Sequence, residues 1–290
     1  MSIRLDPLQT LDLDSTLCCG QAFRWDKHGE WWYGIVKGKA FKIRQRSNHL
    51  EFENVEIGFL KAYLGLDDNL QEVYSQIGKD RHVEQAVERF RGLRIMRQDP
   101  WECLISYICA TYKNIASIKG MLLNLSRKFG DKVTFDGLDS YTFPTAEKLA
   151  RASASEISDC SLGYRAKYVH ETAVTVHEGK LELEYLVKVS YEKAKAELLN
   201  LPGVGLKVAD CVSLFSLGKF EAFPVDVWVK RALMRHYNLH FPREFIRRIS
   251  DKRSLTNSEY GRLNVFGREY FGGYAGYAQE YLYHYERMQR

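Results

Sequence analysis

The sequence predicts an α+β protein in which a small N-terminal antiparallel β-sheet precedes a larger, mostly helical part. Two observations support this fold class. Between residues 21 and 54 the chain is rich in aromatic and β-branched residues, interrupted by the turn-like stretches HG, KGK and SNH. After residue 56, apolar residues recur at helical spacing instead. We therefore expect a β-rich domain over residues 1–80 and a helical domain over residues 81–290.

The individual elements follow in chain order. The N-terminal stretch predicts a meander of about four antiparallel strands. In VEQAVERFRGL, Val83, Val87 and Phe90 share one helix face. In DPWECLISYICATY, Asp99 can cap a helix and Pro100 suits its first turn. The further helical stretches are NIASIKGMLLNLSRKF, PTAEKLARA, YRAKYVHETAVTVH, YEKAKAELLN and KVADCVSLFSLG. Helices within 56–77 could pack on either part.

Composition excludes several classes of protein. The 290 residues are 45% hydrophobic and carry a formal charge of +5, a mild basic bias that is compatible with a polyanionic partner. The six cysteines form no C-x-x-C pair, and neither a secretory leader nor a long apolar run is visible. We expect a soluble intracellular monomer: cytoplasmic or nucleoid-associated in a prokaryote, nuclear in a eukaryote. Metal-binding and nucleotide-binding motifs are absent, so we expect no cofactor and no metal.

The stretch NLPGVGLKVADC at 200–211 predicts two helices joined by a tight turn. Pro202 ends the first helix, and Gly203 and Gly205 allow a turn that other residues would obstruct. Backbone N–H groups of such a turn, together with the following helix N-terminus, can bind a DNA phosphate without reading the base sequence. Taken alone, P-G-x-G is more often a plain helical hairpin.

Two chemically complementary residues follow this turn. Lys207 opens the second helix, and Asp226 stands nineteen residues later at the start of another. An amine can attack the anomeric carbon of a nucleotide and form a Schiff base, while a carboxylate can stabilise positive charge on the sugar. The alternative is that both are ordinary surface residues.

Several separated stretches together resemble the 8-oxoguanine DNA glycosylase/lyases of the helix–hairpin–helix Gly/Pro–Asp (HhH-GPD) superfamily. They are CGQAFRW, QDPWECLISYICA, LGYRAKYV, LPGVGLKVADC, PVDVWVKR and GGYAGYAQEYLY, and they span nearly the whole chain. The resemblance implies a base-excision-repair enzyme that flips 8-oxoguanine out of duplex DNA. It also implies that Lys207 is the nucleophile, that Asp226 is its partner carboxylate, and that a β-elimination step nicks the strand.

The resemblance also implies which residues bind the extruded base. The Gly20 carbonyl would accept the N7–H that 8-oxoguanine has and guanine lacks, with Gln21 beside it in the substrate-binding set. Cys211 would pack on one side of the base and Tyr283 on the other, where the family often has phenylalanine. Gln279 would bond the Watson–Crick edge. Singly, each of these has a plainer interpretation as a core or strand residue.

A third group would contact the DNA. Tyr164 and Arg165 match residues that fill the gap left by the flipped base and reach the orphaned partner. Tyr112 stands where animal members carry asparagine, Ser117 where they carry arginine, and Trp228 where a phosphate-contacting histidine is common. Because the asparagine and arginine help to recognise cytosine, we expect relaxed specificity for the opposite base.

Two other functions remain open at this stage. The first is a glycosylase of the same fold for another damaged base, such as an alkylated purine, although such members usually lack the hairpin lysine. The second is a non-catalytic DNA-binding protein that uses only the hairpin. A binding protein would not need Lys207 with Asp226, nor Gly20 with Gln279.

Overall fold

Seven strands form two antiparallel sheets in the computed structural model, which describes residues 1–6 and 10–289. The larger sheet has the order β1-β5-β4-β3-β2, and the smaller one pairs β6 with β7. The strands are β1 (Ser2–Arg4), β2 (Trp25–His28), β3 (Trp31–Val36), β4 (Lys39–Arg46), β5 (His49–Glu53), β6 (Lys132–Phe135) and β7 (Leu138–Tyr141).

Helices make up most of the remaining described chain, with short 3₁₀ turns at Asn238–His240 and Gly272–Tyr274 and a π-helical segment at Ser158–Leu162. The α-helices are α1 (Leu13–Cys18), α2 (Ile57–Tyr63), α3 (Leu70–Ile77), α4 (Arg81–Arg89), α5 (Pro100–Cys109), α6 (Ile115–Phe129), α7 (Ala146–Arg151), α8 (Ala154–Ile157), α9 (Arg165–His177), α10 (Leu183–Lys188), α11 (Tyr191–Leu199), α12 (Leu206–Ser216), α13 (Val227–His236), α14 (Arg243–Ile249), α15 (Asn257–Phe271) and α16 (Ala275–Arg287). The predicted α+β fold class is confirmed. No helix among the described residues has the length and apolar character needed to cross a bilayer.

The predicted four-stranded meander is confirmed as β2 to β5, joined by short turns. A fifth strand, β1, pairs with β5 and places Ile3 opposite Leu50. Three residues are too few to show an alternating pattern, so the sequence did not predict this strand. The β6–β7 hairpin was also missed, although its turn carries the hairpin signal Asp136–Gly137, with both residues at positive φ.

The apolar core consists of two clusters. The smaller one fills the space between the five-stranded sheet and helices α1 and α2, with Phe41, Phe52 and Leu60 almost fully buried. The larger cluster includes residues of α3 to α16. Thus α2 packs with the sheet and α3 with the helices. Cys19 lies in the larger cluster and Met96 in the smaller one, so the chain crosses between them more than once, and the predicted boundary at residue 80 stays a prediction.

The helix openings that position the functional residues form as their sequences predict. Asp99 caps α5 by accepting from the Glu102 N–H at 3.0 Å, with Pro100 in the first turn. The turn between α11 and α12 places Gly203 at φ +77°, and a Cβ there would come within 2.6 Å of the Tyr168 ring. Gly205 differs from the prediction, because its φ is −95° and a Cβ would meet nothing within 4 Å. The fold therefore requires glycine at 203 but leaves open space beside Gly205.

Candidate active site

One cleft of about 330 Å³ brings together residues that are far apart in sequence. Its walls come from the loop after α1, from α5 and α6, from α12, from the start of α13 and from α16. The sequence-predicted residues that line this cleft are Gly20, Lys207, Cys211, Asp226, Trp228, Gln279 and Tyr283.

Lys207 lies in the first turn of α12, and its side chain reaches into the cleft. Its Nζ is 5.3 Å from the centre of the Tyr107 ring, a cation–π distance. Helix α12 is held in place by Asp210, which is fully buried and accepts from Lys195 at 2.8 Å and from Asn264 at 3.0 Å. Since this anchor lies one turn from Lys207, the amine projects from a fixed element.

Asp226 begins α13 and serves as its cap. Oδ1 accepts from the backbone N–H groups of Trp228 and Val229, each at 2.8 Å. No described residue donates to Oδ2. Burial raises the pKa of Asp226, while the nearby Lys207 ammonium and the two capping N–H groups act in the opposite direction. The cap thus fixes one carboxylate oxygen and leaves the other available beside the amine.

Cys211 and Gln279 lie on different helices that face the same cleft. Burial raises the pKa of the Cys211 thiol to about 12, so it stays protonated and acts as a small apolar surface. Gln279 is 4% exposed, and its Oε1 has no hydrogen-bond partner among the described residues. A buried amide oxygen without a partner is costly, and a ligand with N–H groups could satisfy it.

Gly20 has φ +106°, a conformation that favours glycine. A Cβ at this position would lie 3.0 Å from both Arg287 Nη1 and Tyr283 Oη. The Tyr283 hydroxyl in turn accepts from Arg287 Nη1 at 3.2 Å. The glycine, the tyrosine and the arginine therefore form one close group at a wall of the cleft.

Gln21 does not line the cleft. Its side chain is fully buried, and its Nε2 donates to the carbonyls of Thr16 at 2.9 Å and Arg94 at 2.8 Å. Its Oε1 accepts from the Met96 N–H at 2.9 Å. These bonds occupy both ends of the amide, so the position of Gln21 supports an anchoring role behind the loop rather than the predicted substrate contact.

Of the residues expected to contact DNA, Trp228 lines the cleft, whereas Tyr112, Tyr164 and Arg165 lie outside it. Tyr164 is 58% exposed at the start of α9, and Tyr112 is 78% exposed with φ +56°. Arg165 differs from the expectation: it is only 4% exposed, stacks 4.3 Å from the Tyr164 ring and donates to the Thr111 carbonyl. To reach an orphaned base, Arg165 would have to give up that internal bond.

Of the cleft residues that the sequence did not single out, three contact or neighbour predicted site residues. Tyr107 lies beside Lys207, and Glu280 and Arg287 line the wall formed by α16. The helical pattern of DPWECLISYICA predicts a buried Tyr107 but not its place next to the amine. For Glu280, the one signal in the sequence for a place near the cleft was that it directly follows Gln279. No group of three or more His, Cys, Asp or Glu side chains in the described part of the chain could hold a metal ion.

Comparisons with known proteins agree with this geometry. Residues 4–104 match the family described as "8-oxoguanine DNA glycosylase, N-terminal domain", and residues 105–251 match the "HhH-GPD superfamily base excision DNA repair protein". A Saccharomyces cerevisiae relative, "N-glycosylase/DNA lyase", is 31% identical, covering 94% of this chain and 82% of its own. The Arabidopsis thaliana "N-glycosylase/DNA lyase OGG1" is 33% identical, covering 94% and 76%.

The chain belongs to the 8-oxoguanine DNA glycosylase family of the HhH-GPD superfamily. Among solved structures, the Clostridium acetobutylicum 8-oxoguanine glycosylase/lyase in complex with DNA superposes with a TM-score of 0.87 at 33% identity. That match covers 96% of this chain and 92% of the clostridial one. The family membership inferred from short motifs is confirmed, and members of this glycosylase family share the fold over nearly the full chain.

Proposed function

We propose that this chain is a bifunctional base-excision enzyme that removes 8-oxoguanine from duplex DNA and then cleaves the strand through a Schiff base at Lys207. The observation that carries the proposal is that one cleft holds three groups together. They are the amine of Lys207, the helix-capping carboxylate of Asp226 and the amide oxygen of Gln279, which has no hydrogen-bond partner among the described residues. A cleft with these groups suits a flipped base better than it suits an intact duplex.

Base recognition rests on what each wall offers. The N7–H of 8-oxoguanine donates to the Gly20 carbonyl, whereas guanine would present a bare N7 acceptor to that oxygen. One buried hydrogen bond that forms with 8-oxoguanine but not with guanine favours binding of the lesion by roughly 1–3 kcal/mol. Gln279 bonds the Watson–Crick edge, and the Cys211 thiol and the Tyr283 ring contact the two faces of the base.

The chemistry follows from the amine and the carboxylate. Lys207 Nζ, after its ammonium has given up a proton to solvent, attacks C1′ while the C1′–N9 bond breaks. The electron pair of the C1′–N9 bond leaves with the base, and the base takes up the proton that Nζ releases on bonding to C1′. The Asp226 carboxylate stabilises the positive charge that develops on the sugar. Opening of the C1′–O4′ bond gives an imine between Nζ and C1′. Loss of a C2′ proton then expels the 3′ phosphate and nicks the strand.

The phosphates of the DNA backbone bind at the turn between α11 and α12 and near Trp228. Open space beside Gly205 lets a phosphate approach the backbone N–H groups at the start of α12. The exposed Tyr164 ring fills the gap left by the flipped base, and Tyr112 faces the partner strand.

Product analysis on matched duplexes tests this function. Three duplexes carry 8-oxoguanine, guanine or 3-methyladenine at one position, and the products are separated with and without hot alkali. We expect cleavage of the 8-oxoguanine strand without alkali and no product from guanine. Release of 3-methyladenine with 8-oxoguanine left intact would contradict the proposal and would favour an alkyl-purine glycosylase.

A further inference from the structure

Arg287, near the end of α16, reaches the loop that leads to Gly20. Its Nη1 donates to the Cys19 carbonyl at 2.7 Å and its Nη2 to the Cys18 carbonyl at 2.7 Å. These carbonyls end the short helix α1, where a helix has no N–H groups of its own to offer them. One side chain therefore ties the C-terminal helix to a loop 268 residues earlier in the sequence.

The backbone carbonyls of residues 18–21 differ in whether they accept a hydrogen bond. Those of Cys18 and Cys19 accept from the guanidinium, and that of Gln21 accepts from two neighbouring side chains, at 2.7 and 3.2 Å. The Gly20 carbonyl accepts no hydrogen bond from any residue that the structure describes. The loop is thus held on both sides of the one carbonyl that is left for a ligand, and Gly20 lines the cleft.

The position of Arg287 is not explained by an ion pair. Within residues 1–6 and 10–289 its guanidinium forms no salt bridge, and its hydrogen-bond acceptors are the two carbonyls and the Tyr283 hydroxyl. A planar guanidinium can bond two adjacent carbonyls at once, whereas a lysine ammonium is a point charge without that fixed fork. The geometry therefore favours arginine specifically at this position.

We propose that Arg287 is a positioning residue for lesion recognition, which holds the Gly20 carbonyl where it accepts the N7–H of 8-oxoguanine. This inference rests on the proposed function, because it concerns the same recognition site. It predicts that the Arg287 contacts contribute more to the preference for the lesion over guanine than to the strand-cleavage step. Cleavage at an abasic site should depend little on these contacts, because an abasic site has no base for Gly20 to recognise.

The test compares Arg287→Met, which removes the donors at similar length, with Arg287→Lys. In a Lys207→Gln background, which prevents turnover, the affinity for duplexes containing 8-oxoguanine or guanine is measured at one salt concentration. We expect the lesion preference to fall roughly tenfold with methionine, as two hydrogen bonds to one charged group are lost, and to recover in part with lysine. With Lys207 intact, the methionine variant should lose much more of its 8-oxoguanine excision rate than of its abasic-site cleavage rate.

Arg235→Met is the matched control. Arg235, on α13, also bonds a residue of α16, because it pairs with Glu286 at 3.1 Å, but it does not line the cleft. Its lesion preference should equal that of the parent protein. An unchanged preference in Arg287→Met, or an equal loss of excision and abasic-site cleavage, would overturn the positioning role. A parent protein that binds the two duplexes equally would instead overturn the proposed function, and that result is distinguishable before any Arg287 variant is measured.

Discussion

Glu280 gives a prediction about stability that follows from its surroundings. The side chain is 2% exposed, and its Oε1 has no hydrogen-bond partner among the described residues. Burial raises the pKa of Glu280 to about 7, with Asp226 adding to the shift while Cys19 and Arg287 oppose it. A carboxyl group that ionises near pH 4.5 in the unfolded chain therefore keeps its proton to about pH 7 in the folded protein.

The sign and size of the effect follow from proton linkage. Between those two pKa values the folded state binds more protons than the unfolded state, so stability is lost as the pH rises. A difference of two to three pKa units corresponds to roughly 3 kcal/mol, at about 1.4 kcal/mol per unit. In Glu280→Gln the titrating group is absent. The unfolding free energy of this variant, relative to the parent protein, should rise by roughly this amount between pH 4.5 and pH 8.

Urea unfolding of both proteins at several pH values measures this difference directly, because the other titrating groups largely cancel. Glu286→Gln is a useful comparison, since Glu286 lies on the same helix but pairs with Arg235 outside the cleft. A difference between Glu280→Gln and the parent that stays flat from pH 4.5 to pH 8, or that changes in the opposite direction, would refute the assignment of a buried protonated carboxyl.

Two further predictions concern catalysis and specificity. Asp226→Asn keeps an oxygen that can cap α13 but removes the charge, so single-turnover base release should fall by about 100-fold or more while affinity for the lesion changes far less; near-normal turnover would mean that another carboxylate acts. Because Ser117 is short and Arg165 bonds the Thr111 carbonyl, excision opposite the four bases should vary by about tenfold or less, about 1.4 kcal/mol. Four duplexes that differ only in the opposing base measure this, and a preference for cytosine above about 100-fold would contradict it.

The parts of the site that sequence predicts well are those fixed by local chemistry. An Asp followed by a helix predicts a cap, so the backbone around Asp226 follows from its neighbours. The α11–α12 turn places Lys207 in the first turn of a helix for the same kind of reason. Cys211, one turn later, then faces the same cleft without further information.

The parts that sequence did not predict depend on contacts between distant segments. Nothing near Arg287 indicates that it bonds the carbonyls that precede Gly20, because those groups come together only when α16 packs beside the N-terminal loop. The inward turn of Arg165 and the burial of Gln21 have the same origin. Side-chain direction at these positions is set by tertiary packing, which the local sequence pattern does not encode.

Borohydride trapping tests the central claim, that the Lys207 amine is the nucleophile. The protein is incubated with an 8-oxoguanine duplex and borohydride, which reduces an imine to a stable covalent link. The control variant is Lys193→Gln, because Lys193 is an exposed lysine that pairs with Glu197 on α11. The parent protein and this control should both give the protein–DNA adduct. Lys207→Gln should give none while still binding the lesion, since other residues form the pocket. Strong trapping by Lys207→Gln would show that a different amine attacks the sugar and would contradict the proposed mechanism.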